Sequence, residues 1–249
     1  MSTKHSITTR RSIAALAATA VFGMLAGLGA SAPAHAQPQG TPVKIGIIGT
    51  GKIGGALARH WVKAGHEVFV SSRHPEELQD LVKELGPKAR AGTPKQAAAF
   101  GEVILVSIPY GGMPQLGNDL RAELAGKVIL DTSNPVTGRD GAEAAEWQKK
   151  GAGVSTAELL HNNRVVRAFN CIPAASLAND GNRTPARLAI PIGGDDAQAI
   201  AVAQRLISEA GFDSVVIGSL AKTREFDLGQ PLAKGNLTAA DLRKLAGVR

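Results

Sequence analysis

Residues 43–55, Val-Lys-Ile-Gly-Ile-Ile-Gly-Thr-Gly-Lys-Ile-Gly-Gly, constrain the fold of this chain more than any other stretch. The first half is a short apolar run rich in Ile and Val, too brief for a helix and suited to a buried parallel strand. Gly49, Gly51 and Gly54 then fall at G-x-G-x-x-G spacing, and apolar residues at helical intervals follow at once: Ile53, Ala56, Leu57, Trp61, Val62. Strand, glycine turn and helix in this order form the fingerprint of a dinucleotide site. Gly49 lets the chain turn out of the strand, Gly51 lets the backbone approach a pyrophosphate, and Gly54 lets the helix pack against the strand. The helix N-terminus offers unpaired N–H groups and a partial positive charge to phosphate. A ligand-free βα turn would not require three glycines at these spacings. Thr50, Lys52 and Ile53 belong to the same candidate site.

The end of the second strand, expected over 67–71, bears on which nucleotide binds. NAD sites carry an acid about 20 residues beyond the glycines to accept the ribose hydroxyls. Here the strand runs into Ser71-Ser72-Arg73-His74-Pro75, with no acid at its tip. A carboxylate there would repel a 2′-phosphate, whereas Arg73 would pair with it and Ser72 would add a hydrogen bond. Ser72 and Arg73 therefore select NADP over NAD. Glu76 and Glu77 read as first-turn helix acids facing the dipole.

Beyond this point strands and helices alternate. Strands are expected over 103–108, 127–131, 164–169, 188–192 and 213–217, with Pro191 hinting at an edge position. Helices are expected over 75–85, 94–100 with Thr93 as cap, 113–124, 138–150 and 155–161. A further helix is expected from Asp195 as cap to Ala210, stopped by Gly211, and a short one over 238–245. The pattern predicts an α/β fold, a Rossmann-type, doubly wound, mostly parallel sheet in a single domain over 43–220, followed by a tail over 221–249. Ligands in such sheets sit at the carboxyl ends of the strands, so Ser107 to Tyr110 and Ser133 to Pro135 are predicted to line the cleft.

The first 36 residues read as a leader. Lys4, Arg10 and Arg11 precede an apolar stretch rich in Ala and Gly, and Ala34-His35-Ala36 supplies a cleavage site, the pattern of a secretory signal rather than of a retained membrane anchor. Thr9-Arg10-Arg11-Ser12-Ile13 is a partial match to a twin-arginine signal, which serves proteins exported already folded; an ordinary signal holding two arginines is the alternative. The expectation is an exported, periplasmic protein with no stable membrane insertion after cleavage. The net charge of +7 includes three leader cations, and no basic cluster interleaved with aromatics remains, so nucleic acid is not an expected partner. The one cysteine, Cys171, excludes an internal disulfide, and the six dispersed histidines show no metal-ligand spacing.

Several blocks together resemble the NADP oxidoreductases dependent on coenzyme F-420, a deazaflavin. They are Gly49-Thr50-Gly51-Lys52-Ile53-Gly54, Ser71-Ser72-Arg73-His74-Pro75-Glu76, Val106-Ser107-Ile108-Pro109, Asp131-Thr132-Ser133-Asn134-Pro135 and Gly193-Gly194-Asp195-Asp196-Ala197. The most specific is Val165-Val166-Arg167-Ala168-Phe169-Asn170, which is similar to the family's Val-Val-Lys-Ala-Phe-Asn. The resemblance covers nearly all of the chain after the leader. It implies NADP(H) held at Thr50 to Ile53 and at Ser72 and Arg73, with the nicotinamide near Ile108, Pro109, Asn134 and Ala168. It also implies hydride transfer to a stacked flavin or deazaflavin. Tyr110-Gly111-Gly112 and Cys171 depart from the family pattern.

Ring-to-ring hydride transfer needs stacking, orientation and exclusion of water rather than a strong acid or base. No residue is assigned a catalytic role. Tyr110 is the only tyrosine and no lysine stands four residues on, so the Tyr-x-x-x-Lys pair of a carbonyl reductase is missing. His66 and His161 read as packing or surface residues and Cys171 as a buried bystander. The leading expectation is an NADPH-dependent reductase of a small flavin-like acceptor. An imine or small-carbonyl reductase of the pyrroline-carboxylate type and a non-catalytic NADP-binding sensor are the alternatives, and a homodimer is left open.

Overall fold

The computed structural model describes residues 40–161 and 164–248. The expected leader, its twin-arginine motif and its cleavage site lie outside the described residues. No helix among the described residues is long and apolar enough to cross a membrane.

Eight strands form one sheet: β1 (Lys44–Ile48), β2 (Glu67–Ser71), β3 (Ala89–Gly92), β4 (Val103–Val106), β5 (Val128–Asp131), β6 (Arg164–Arg167), β7 (Ala189–Gly194) and β8 (Asp213–Gly218). Their spatial order is β3-β2-β1-β4-β5-β6-β7-β8. The first six are parallel and follow the order of a dinucleotide-binding sheet, with the direction of winding reversing between β1 and β4. The fold is the expected α/β Rossmann type.

Both faces of the central strands are covered, which explains their continuous apolar runs. Ile45, Ile47, Val103, Leu105, Val128 and Leu130 face one layer, with Leu57 and Trp61. Ile48, Ile104, Val106 and Ile129 face the other, with Met113 and Leu124. Trp61 is fully buried and donates its indole N–H to Leu206 O at 2.9 Å, locking helix Lys52–Lys63 to helix Ala197–Glu209. Loss of so large a buried ring costs about 3–5 kcal/mol in comparable cores.

Several local expectations are corrected. β3 was not anticipated, because Ala-Arg-Ala-Gly carries no β-branched or aromatic residue; it forms by pairing with β2. The helix expected over 75–85 begins as a 3-10 turn, Pro75–Leu78, and continues as Gln79–Leu85. The one expected over 113–124 divides at Leu120. Asp196 rather than Asp195 caps the helix after β7, accepting from Ala199 N at 2.6 Å, while Asp195 accepts from Leu220 N. Pro191 does not mark an edge. β7 lies between β6 and β8, but β6 reaches only Gly193 and Gly194, so Pro191 faces no partner there that needs an N–H. The Thr93 cap forms as expected, with Gln96 completing a capping box.

Residues after β8 pack onto it. The 3-10 turn Leu220–Phe226 and helix Ala239–Ala246 bring Phe226, Leu232 and Leu242 against Ala189, Val215 and Ile217. The turn also carries Asp227 toward β6, where it meets the candidate site.

Candidate active site

The cleft opens at the carboxyl ends of β1, β4 and β5, at the point where the winding reverses. Gly49 sits at φ +94°, and a Cβ there would lie 2.3 Å from Ser107 O, so the tight turn and the neighbouring strand both demand glycine. A Cβ on Gly54 would lie 2.2 Å from Gly49 O, which shows how closely helix and turn pack. Gly51 is different. Nothing lies within 4 Å of a Cβ built on it, and it caps helix Lys52–Lys63 without a side-chain hydrogen bond. The first N–H groups of that helix are left for a ligand in front of Gly51.

Two cavities meet over this turn, sharing Gly51, Ser107 and Ile108. The larger, about 820 Å³, is lined by Gly49, Thr50, Ser72, Arg73, Ile108 and Pro109 among others. Thr50 Oγ1 is 3.0 Å from both the N and the O of Ser71, tying the glycine turn to the end of β2. Arg73 is exposed and makes no ion pair among the described residues. Ser72 Oγ accepts from His74 N at 3.0 Å. The smaller cavity, about 370 Å³, is lined by Lys52, Ile53, Ser133, Asn134, Asn170 and Leu228 among others.

Eleven of the twelve sequence-derived positions belong to this cleft or to the turn behind it. Ala168 is buried and lines neither cavity; its neighbours Phe169 and Asn170 do. Phe169, at φ +59°, bends the chain after β6. Tyr110 is also turned away from the cleft, its hydroxyl donating to Ala152 O at 2.7 Å, and burial pushes that hydroxyl well above its ordinary pKa. His66 is buried between Val43 N and the Glu209 carboxylate, away from both cavities. His161 lies outside the cleft, 2.8 Å from Arg121 Nη2. Burial pushes the Cys171 thiol up to about 11, which leaves it unreactive near neutrality.

Behind the smaller cavity lies a polar network built on Arg167, which is fully buried. Its guanidinium donates to Asp131 Oδ2 at 3.0 Å, Ser133 O at 2.6 Å, Asn134 Oδ1 at 2.7 Å and Asp227 Oδ1 at 3.0 Å. Burial pushes the Asp131 carboxyl up, opposed by Arg167, the Ser133 N–H and the Thr156 hydroxyl. The family resemblance marked Arg167 only as part of a motif; its role as a hub is a tertiary fact. At the mouth, Asp140 accepts from Gly111 N at 3.1 Å and Val136 N at 2.8 Å, and Arg139 donates to Asn134 O.

Residues 44–135 match the family model described as NADP oxidoreductase, coenzyme F420-dependent. The F420-dependent NADP reductase of Methanothermobacter thermautotrophicus is 26% identical over 221 residues, 83% of this chain and 94% of that protein. The chain is an NADP-dependent oxidoreductase. Metalloreductase STEAP3 of Rattus norvegicus is 32% identical over 190 residues, 74% of this chain, but the chain spans only 36% of that relative's length. A solved structure from Sinorhizobium meliloti aligns with a TM-score of 0.69 at 26% identity, covering 79% of this chain and 95% of that one.

The residues of this oxidoreductase fit NADP(H). The uncapped helix start and the open space in front of Gly51 suit a pyrophosphate, and Arg73, free of any acid among the described residues, suits a 2′-phosphate. Among the described residues no cluster of His, Cys, Asp or Glu suits a metal ion.

Proposed function

We propose that this oxidoreductase transfers a hydride between NADP(H) and a flat ring acceptor of the flavin or deazaflavin kind. The observation that carries the reading is the lining of the smaller cavity. Among the described residues its lining holds no Asp, Glu, His, Tyr or Cys. Its two cations are Lys52, at the helix start that would face the pyrophosphate, and Arg139, paired with Asp140, and its walls combine Ile108, Ile172 and Leu228 with the amides of Asn134 and Asn170. A carbonyl or imine reductase needs a proton donor at the reacting atom, whereas ring-to-ring transfer needs orientation and exclusion of water. Bound NADPH would supply the hydride. The Gly51 turn and helix start would hold its pyrophosphate, Ser72 and Arg73 its 2′-phosphate, and Ile108 and Pro109 would support the ring end. The F420-dependent reductases among the relatives support a deazaflavin as acceptor, by name alone.

The test is NADPH oxidation by the purified chain with FMN, riboflavin, the F420 deazaflavin, a cyclic imine and a small ketone. Turnover with one or more of the ring acceptors and none with the imine or ketone is expected. Turnover confined to the imine or ketone, or NADPH binding without turnover on any acceptor, overturns the proposal. The same proposal takes residues 1–36 as an export signal. A chain recovered from a periplasmic fraction and beginning near Gln37 would support that, and an intact Met1 would not.

A further inference from the structure

We infer that Asn170 is a ligand-recognition residue, its Oδ1 accepting a hydrogen bond from an amide-type N–H carried by a ring bound in the smaller cavity. The inference rests on the reading of the cleft as an NADP site. It also departs from the sequence-based assignment, which placed Asn134 in the cofactor site and left Asn170 out. In the structure both ends of the Asn134 amide are engaged within the protein. Its Oδ1 accepts from Arg167 Nη2 at 2.7 Å and from Asn170 Nδ2 at 3.3 Å, and its Nδ2 donates to Asn170 O at 2.7 Å.

Asn170 has the opposite character. Its Nδ2 donates to Phe226 O at 2.9 Å as well as to Asn134 Oδ1. Both partners are acceptors, so the amide can face only one way. That orientation leaves Oδ1 buried and without a hydrogen-bond partner. Asn170 is 6% exposed and lines the smaller cavity together with Ser133 and Asn134. Orphaned polar atoms of this kind are rare in folded proteins because each carries a desolvation cost.

The backbone points to the same place. Phe169 holds a left-handed conformation, φ +59°, that a bulky residue rarely adopts. Strain of this kind persists where the surrounding structure over-determines it, and such positions gather at ligand sites. Here the bend packs Phe169 into the core at the wall of the cavity and brings Asn170 to the same cavity. The chain thus keeps a strained residue and an unmatched acceptor side by side, beside the turn that would hold the dinucleotide. A planar N–H donor on the ligand would relieve the second of these. Two sources have this chemistry: the carboxamide of the nicotinamide, and the imide N–H of a flavin-like acceptor.

The test uses two analogue pairs, each differing only in that donor. NADP+ is compared with its 3-acetylpyridine analogue, and lumiflavin with N3-methyllumiflavin, by dissociation constants on the wild type and on Asn170→Ala. About a tenfold preference for the parent compound is expected in one pair, falling to within about twofold in the variant. The pair that responds identifies the donor. If the wild type binds NADP+ yet discriminates in neither pair, or if the preference survives in Asn170→Ala, the inference is overturned while the NADP reading stands. If the wild type binds no NADP+, both fall. Crystals of the wild type with NADP+ and a flavin give a check that does not depend on the variant folding. A ligand nitrogen within hydrogen-bond reach of Oδ1 supports the inference, and a water there instead overturns it.

Discussion

Arg167 Nη2 lies 2.7 Å from Asn134 Oδ1, a bond that ties the end of β6 to the loop after β5 at the floor of the smaller cavity. The same guanidinium holds Asp131 and Asp227, so the strand end, the cleft loop and the segment after β8 share one buried cation. Asn134 is therefore positioned by a residue that lines neither cavity.

Arg167→Met should destabilise the fold by about 3–5 kcal/mol, because Asp131 would stay buried without its counter-charge. Arg167→Lys should recover only part of this, since an ammonium cannot present the planar fork that reaches four acceptors. Urea unfolding at neutral pH measures both. A Met variant as stable as the wild type would show that the network carries no such weight.

Arg73→Glu should weaken NADPH by on the order of 10- to 100-fold, the loss of one charge-assisted phosphate contact plus the repulsion put in its place. NADH, which lacks the 2′-phosphate, should change by no more than about threefold. Fluorescence titration with each nucleotide gives the comparison. Equal losses for both would remove Arg73 from the 2′-phosphate site.

The glycines of the turn should separate into two kinds. Gly51→Ala, with nothing within 4 Å of the new Cβ and an ordinary extended φ of −82°, should change stability by less than about 1 kcal/mol while impairing NADPH binding at least about tenfold. Gly54→Ala, whose Cβ would meet Gly49 O at 2.2 Å, should cost about 1–3 kcal/mol of stability. Thermal unfolding paired with nucleotide titration distinguishes them, and a Gly51→Ala protein with undiminished binding would count against a pyrophosphate at that turn.

Acid should act through Asp140. Burial works to raise its carboxyl, but Arg139 and the N–H groups of Gly111 and Val136 outweigh it and hold the group down to about 2. A depressed carboxylate stabilises the fold above its unfolded value near 4, and that contribution fades as pH falls toward 2. The wild type should therefore exceed Asp140→Asn by on the order of 2 kcal/mol above about pH 5, the gap shrinking as pH falls from about 4 and closing only below about pH 2. Urea midpoints across this range check it; a constant gap would place the difference elsewhere.

The legibility of this chain follows the range of the interactions involved. The strand, the three glycines and the first helix were readable because each is dictated within a dozen residues, by apolar continuity, by two backbone positions that reject a Cβ, Gly49 and Gly54, and by the spacing that sets Gly51 between them. β3 was not, because its four residues have little strand preference of their own and are recruited by β2. Asp195 and Asp196 are adjacent acids, and which one caps the helix depends on where β7 delivers the chain and on Leu220 N claiming the other. Pro191 looked like an edge residue because nothing local says how far β6 extends.

In the site, local pattern located the Gly49–Gly54 loop, placed Ser72 and Arg73 beside it and put residues 107–110 and 133–135 on the cleft, and the resemblance singled out Ile108, Pro109, Asn134 and Ala168 for the nicotinamide end. It could not tell Asn134 from Asn170. Both are asparagines at strand ends, and their difference lies in hydrogen bonds that span 33 to 56 residues of sequence. The amino-acid sequence by itself determined the Rossmann fold and the dinucleotide turn, since backbone sterics and apolar periodicity act between near neighbours. Only the tertiary structure decided which amide is consumed in holding the cleft together and which is left open to a ligand, because that depends on where Arg167, Phe226 and Asp227 come to rest once the sheet has closed.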